Sequence, residues 1–181
     1  MIKNSKTIRV TTQKGTDILI ETGKREIFHN DGGVFNKRCA FGNLPEGEVD
    51  FAPANANGTY IVDASFPEFG KLKSPLIFEV ENGVVTKIEG KRAKELKNEL
   101  DKIGKKAYVV AELGIGINPK AKITGEVLED EKVLGTCHIA IGNNLSYGGN
   151  NDVPIHLDGV IRNPTVFVDS KKIMDRGKPL F

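Results

Sequence analysis

The dipeptide Asn82-Gly83 stands between two runs of strand-forming residues, Leu76-Ile77-Phe78-Glu79-Val80-Glu81 and Val84-Val85-Thr86-Lys87-Ile88. Asn-Gly accepts positive φ at both central positions of a two-residue turn whose twist matches the flanking strands, so this segment is constrained to a β-hairpin. The same grammar recurs upstream. Ile8, Val10 and Thr12 alternate, Lys14-Gly15-Thr16 turns, and Asp17 to Glu21 returns as a second strand. Asn30-Asp31-Gly32-Gly33 reads as a loop whose glycines suit positive φ. Helical periodicity is well supported in one place, where Ala93, Leu96, Leu100 and Ile103 recur at three- and four-residue steps and Gly104 stands at the C-terminal cap. A second, shorter helix is expected across Glu126 to Leu134. Ala107 to Gly114 reads as a buried strand, and further strands are expected at roughly 136–142, 155–161 and 165–169. Many strands, one or two helices and no regular βαβ alternation predict an α+β fold with a mixed, largely antiparallel β-sheet.

The chain of 181 residues is long enough to bury a core, and residues 1–181 read as a single domain without internal repeat, low-complexity tract or linker. Its 26 basic and 24 acidic residues are well mixed, which leaves no basic footprint for nucleic acid or an anionic membrane. No apolar run has membrane-spanning length, and the N-terminus lacks the apolar segment of a signal peptide, so a cytoplasmic location is expected. Cys39 and Cys137 are too few and too far apart for a disulfide framework or a Cys-x-x-Cys zinc site. Cys137 precedes His138 on the opposite strand face and reads as a small buried residue.

Chemistry concentrates around two of the three histidines. His138 lies in Thr-Cys-His-Ile-Ala-Ile-Gly, and His156 lies in Pro-Ile-His-Leu-Asp-Gly with Asp158 two residues on. Side chains at i and i+2 of a strand share a face about 7 Å apart along the chain, so His156 and Asp158 can converge on one ion. Glu112 interrupts an apolar strand. There it either pairs with a cation, because an unpaired buried carboxylate costs several kcal/mol, or faces solvent from a half-exposed strand. Glu48, in Asn43-Leu44-Pro45-Glu46-Gly47-Glu48-Val49, is a ligand type beside a turn, and the segment standing alone favours the reading of an ordinary exposed acid. His29 has no partner at metal spacing. Glu129-Asp130-Glu131 reads as a solvated helix face, and Tyr147, on the glycine-rich loop between the two histidine strands, is a candidate for positioning or proton donation. No P-loop, Gly-x-Gly-x-x-Gly or Gly-x-Ser-x-Gly pattern occurs, so nucleotide binding and serine hydrolysis lack support.

Taken in order, the Asn43–Val49 segment, Ala111-Glu112-Leu113-Gly114-Ile115-Gly116, Glu129-Asp130-Glu131-Lys132, the His138 segment and His156-Leu157-Asp158 resemble the thermophilic metallo-aminopeptidases of the aminopeptidase T group (peptidase family M29), over nearly the whole chain from Thr7 onward. The resemblance implies the fold of that family's C-terminal domain and a metal site of Glu48, Glu112, His138, His156 and Asp158, with Glu46 as the alternative to Glu48. It also implies two divalent ions (zinc, cobalt or manganese), a small peptide substrate and, by analogy, a homodimer. The family's N-terminal α/β domain is not in this sequence, so the chain reads as a fragment or a short relative. The family's catalytic tyrosine follows the first histidine by seven residues, where this chain has Leu145. A shorter relative of that family, an iron-dependent dihydroxypyridine ring-cleaving dioxygenase, looks similar around His138, His156 and Asp158.

Two mechanisms are therefore expected to compete. In the main one, Glu48, Glu112 and Asp158 leave about one net positive charge over two divalent ions, enough to activate a water for aminopeptidase-like hydrolysis. In the alternative, His138, His156 and Asp158 form a facial triad on one Fe(II), with an aromatic small molecule as substrate. Glu48 and Glu112 in one cavity favour the first, and their absence from it favours the second. An inactive, binding-only domain is the third reading.

Overall fold

The computed structural model describes residues 2–23, 25–29, 38–39 and 42–180. The expected Asn30–Gly33 loop lies outside the described residues. Strands β1 (Thr7–Thr11) and β2 (Asp17–Glu21) form the first hairpin. Their alternation is directly legible: Ile8, Val10, Ile18 and Ile20 are fully buried, while Arg9 and Asp17 pair on the exposed face at 2.8 and 2.6 Å. Strands β3 (Phe28–His29), β4 (Glu48–Phe51), β5 (Asn55–Val62), β6 (Ser65–Phe66) and β7 (Gly70–Lys71) follow. The Asn-Gly hairpin is β8 (Leu76–Glu81) with β9 (Val84–Glu89). Helix α1 (Ala93–Ile103) buries Ala93, Leu96 and Leu100, and the Gly104 N–H caps it by donating to the Leu100 carbonyl at 2.9 Å. The chain continues through β10 (Val110–Gly116), α2 (Val127–Asp130), β11 (Thr136–Gly142), β12 (His156–Arg162), β13 (Thr165–Val168), β14 (Lys171–Asp175) and β15 (Lys178–Pro179).

These strands make an eight-stranded sheet in the order β15-β14-β13-β1-β2-β5-β8-β9 and a five-stranded sheet in the order β12-β11-β10-β4-β3. The fold is α+β. Every strand pairing among the described residues is antiparallel, and the expected parallel component reduces to a single bridge, Asn118 with Val133. One contiguous buried cluster draws on both sheets and on α1, and includes Tyr60 stacked on Phe78 at 4.5 Å. No helix among the described residues is long and apolar enough to cross a membrane.

The structure departs from the sequence expectation in several places. The strand expected from Ala107 begins at Val110, because Lys105–Tyr108 closes a 3₁₀ turn anchored by the Tyr108 hydroxyl donating to Asp101 at 2.6 Å. The helix expected across Glu126–Leu134 stops at Asp130. Beyond it the backbone turns to exchange hydrogen bonds with Asn118 through Lys132 O and Leu134 N, while the buried Asp130 carboxylate accepts from the Thr124 and Gly125 N–H groups. Strand β5 had no sequence reading, since its opening Asn-Ala-Asn-Gly is turn-like. Gly58 there lies so close to β2 that a Cβ would sit 2.3 Å from the Asp17 carbonyl.

Candidate metal centre

The five-stranded sheet has one apolar and one polar face, and strand pairing sorts them. Leu113 pairs with Ile139 and Phe51, all buried in the core. On the opposite face each large polar residue lies across from a small one: His138 from Gly114, Glu112 and Asp158 from Ala140, His156 from Gly142 and Glu48 from Gly116. Small side chains open the room that the polar ones fill. At Gly114 the space is fully used, because a Cβ would lie 2.1 Å from the His138 ring.

Glu112 owes its face to a bulge. Strict alternation would put it beside the buried Val110, but the register with β11 shifts between those two residues, and Glu112 turns to the polar side. Glu48, Glu112, His138, His156 and Asp158 are thereby brought into one cluster. With Glu131 as a sixth member, the ligand-type atoms fall into three overlapping groups within 4.8 Å: Glu48 with Glu112 and His138, Glu112 with His156 and Asp158, and Glu131 with His138 and Asp158. Glu46, the alternative to Glu48, is elsewhere: its carboxylate accepts from the Asn43 N–H at 2.7 Å.

Glu112 lies between the two imidazoles, with its Oε1 3.1 Å from His138 Nε2 and its Oε2 2.9 Å from His156 Nε2. The second contact is close but not aligned as a hydrogen bond, so both of those buried atoms lack a hydrogen-bond partner. His156 Nδ1 lies 2.7 Å from the Asn143 carbonyl, which only accepts, so Nδ1 carries the proton. In the neutral ring the Nε2 lone pair then has carboxylate oxygens beside it, Glu112 Oε2 at 2.9 Å and Asp158 Oδ1 at 3.2 Å. Three acceptors meeting in a partly buried space call for a cation, either a proton on the imidazole or a metal ion between them. Burial disfavours the charged ring at both histidines, but Glu112 outweighs it at His138 and raises it to about 10, and Asp158 with Glu112 raise His156 to about 11. Burial likewise works to raise Glu112, and the two histidines overcome it and hold the carboxyl down at about 2. The residues fit a divalent ion of the type bound by imidazole and carboxylate.

Three members of the cluster were not singled out from sequence. Asp50, the β4 partner of Gly114, is buried, and burial with the charges of Glu112 and Glu48 raises it to about 7. Glu131, read as part of a solvated face, is 7% exposed, and burial together with Asp158 raises it to about 7. Lys132 is 1% exposed and its ammonium donates to both Glu48 and Glu131. Charge runs carry no burial signal, so only the turn after α2 reveals them. The cluster opens into a cleft of about 550 Å³ whose lining includes Glu131, Tyr147 and Asp158 together with Phe66, Val127 and Leu128. Tyr147 lies against the ring of His156, and burial with the surrounding carboxylates pushes its hydroxyl upward.

The family model for 2,5-dihydroxypyridine 5,6-dioxygenase, NicX, matches residues 1–180. The chain belongs to the NicX family. The 2,5-dihydroxypyridine 5,6-dioxygenase of Pseudomonas putida is 23% identical over 193 residues, which cover 98% of this chain and 55% of that protein. The solved structure of the P. putida KT2440 dioxygenase superposes with a TM-score of 0.88 at 22% identity, over 98% of this chain and 56% of that one. Wild-type AmpT from Thermus thermophilus superposes with a TM-score of 0.76 at 17% identity, over 98% of this chain and 50% of that one. The chain spans about half the length of these relatives.

Membership in the NicX family overturns the expectation of an aminopeptidase-like hydrolase, and with it the assignment to proteolysis. The likeness to AmpT is one of fold. A shared fold does not carry the reaction with it. The expected discriminator also failed. Glu48 and Glu112 do share the cavity, but Lys132 neutralises Glu48 there, so the presence of both glutamates does not demand a second metal ion.

Proposed function

We propose that this chain carries the mononuclear metal centre of a dioxygenase that takes a dihydroxylated pyridine as substrate. His138, His156 and Asp158 would hold one Fe(II) through two imidazoles and a carboxylate, with Glu112 in reach of both rings. The observation that carries this reading is the His156 ring, whose Nδ1–H is committed to the Asn143 carbonyl while Nε2 faces Glu112 and Asp158. Bound Fe(II) supplies the redox centre at which dioxygen and an electron-rich ring react. The protein's own groups do the rest. Glu112 sits between the imidazoles and balances charge, and Lys132 holds Glu48 and Glu131 in place. Glu131 offers the cleft a carboxyl group that can accept from a hydroxyl or ring N–H of the substrate, and Phe66 gives it an apolar wall.

The test is elemental analysis of the purified chain together with oxygen uptake on 2,5-dihydroxypyridine. About one iron per chain, with uptake lost in His156→Ala and Asp158→Ala, is the expected result. Unchanged metal content in both variants refutes the site. Bound iron without oxygen uptake on the dihydroxypyridine refutes the substrate assignment for this chain.

A further inference from the structure

Between the two histidine strands the chain makes a short loop, and that loop grips His156 twice. Its edge is held at Nδ1 by the Asn143 carbonyl at 2.7 Å. Its face is covered by the Tyr147 ring, with centroids 4.8 Å apart and planes 16° from parallel. We infer that Tyr147 is a positioning residue, whose ring fixes the plane of the His156 imidazole and thereby the aim of Nε2 at the metal. The inference rests on the metal centre proposed above.

A single hydrogen bond at Nδ1 leaves the imidazole free to rock about the axis through that bond and its Cβ. A parallel ring against one face removes that freedom, and off-set stacking of this kind adds a favourable interaction beyond burial. The stacking ring must itself be fixed, and it is. The Tyr147 carbonyl accepts from the Ala52 N–H at 2.9 Å, which ties the loop to the end of β4. The Tyr147 N–H donates to the Asn144 carbonyl at 3.1 Å. Asn144 Oδ1 in turn accepts from the Asn151 N–H at 2.7 Å, and Asn151 Nδ2 donates to the carbonyls of Gly142 at 2.7 Å and Lys106 at 2.9 Å. Asn151 is 7% exposed and Asn144 3%, so these bonds are shielded from water. The bonds through Asn151 and Ala52 tie the loop to the end of β11, to the turn before β10 and to the residue after β4, and this limits the movement of the backbone that carries the tyrosine ring.

The experiment is a titration of the full chain with Co(II), following its visible absorption, for the wild type, Tyr147→Phe and Tyr147→Leu. Phenylalanine keeps the ring and should bind within about twofold of wild type, whereas leucine should bind at least about tenfold more weakly, the scale of losing a partner that orients a metal ligand. Circular dichroism checks that each variant is folded. Equal binding by the folded leucine variant overturns the inference. So does weakened binding by the phenylalanine variant, which shifts the role from the ring to the hydroxyl and can be read whether or not the leucine variant folds. If the wild type itself binds no Co(II), the metal centre fails and the inference goes with it.

Discussion

At the scale of single residues, the centre is a competition between protons and metal for the same lone pairs. His138 and His156 are raised to about 10 and about 11 by the carboxylates around them, against the effect of burial. Below those values the rings hold protons, and a metal ion binds only the neutral imidazole. Metal binding at pH 7–8 should therefore release about two protons per ion, and affinity should climb with pH until it levels off near the raised values. Calorimetry in buffers of different ionisation enthalpy measures the release directly, and a value near zero contradicts this account. Gly114 makes a second residue-scale test. A Cβ there meets His138 Cε1 and Nε2 at 2.1 Å, so Gly114→Ala should displace the ring. The overpacking should cost about 1–3 kcal/mol in urea unfolding and weaken metal binding alongside. Glycine was visible in the sequence at this position, but its purpose was not, because the imidazole that needs the space comes from another strand.

At the scale of elements, two local irregularities decide the chemistry. The bulge between Val110 and Glu112 moves the carboxylate from the core face to the metal face, so the open question between a ligand-type and a solvent-facing Glu112 is answered by pairing with β11. The early end of α2 at Asp130 places Glu131 and Lys132 inside the cluster rather than on a helix surface. Lys132 is the buried counter-charge for Glu48 and Glu131. Removing it leaves two buried carboxylates without their cation, so Lys132→Met should destabilise the chain by about 3–5 kcal/mol, read as a lowered urea midpoint. A variant as stable as the wild type would show that the pair is solvated in solution. Other elements were plain in the sequence: the β8–β9 hairpin at Asn82-Gly83, the β1–β2 hairpin, and α1 with its glycine cap all form where local propensity and periodicity put them. Local rules work there because the turn or the helix is itself the unit being stabilised.

At the scale of the whole molecule, one buried cluster joins both sheets and α1, so damage far from the metal should be felt throughout. Phe78, fully buried and stacked on Tyr60, is the probe. Phe78→Ala should cost about 3–5 kcal/mol and lower Tm by roughly 10 °C in a single transition. Two separate transitions would mean that the sheets unfold independently. This scale also explains why the motifs pointed to the wrong reaction. AmpT and the P. putida dioxygenase both share this chain's fold, at TM-scores of 0.76 and 0.88, so likeness of fold does not choose between their reactions.

The amino-acid order by itself determined the strands and helix whose stability is local, and placed His156 and Asp158 on one face through the two-residue period of a strand. It also supplied five of the six ligand-type residues that meet in the cluster, all but Glu131. Only the tertiary structure decided which way Glu112 points, that Asp50, Glu131 and Lys132 belong to the site, and that Tyr147 covers His156. The physical reason is distance along the chain. Glu48 and Lys132 are 84 residues apart, and Glu112 and His138 are 26 apart. Their attraction is strong only after the sheet has closed around them and excluded water, and no local propensity records it.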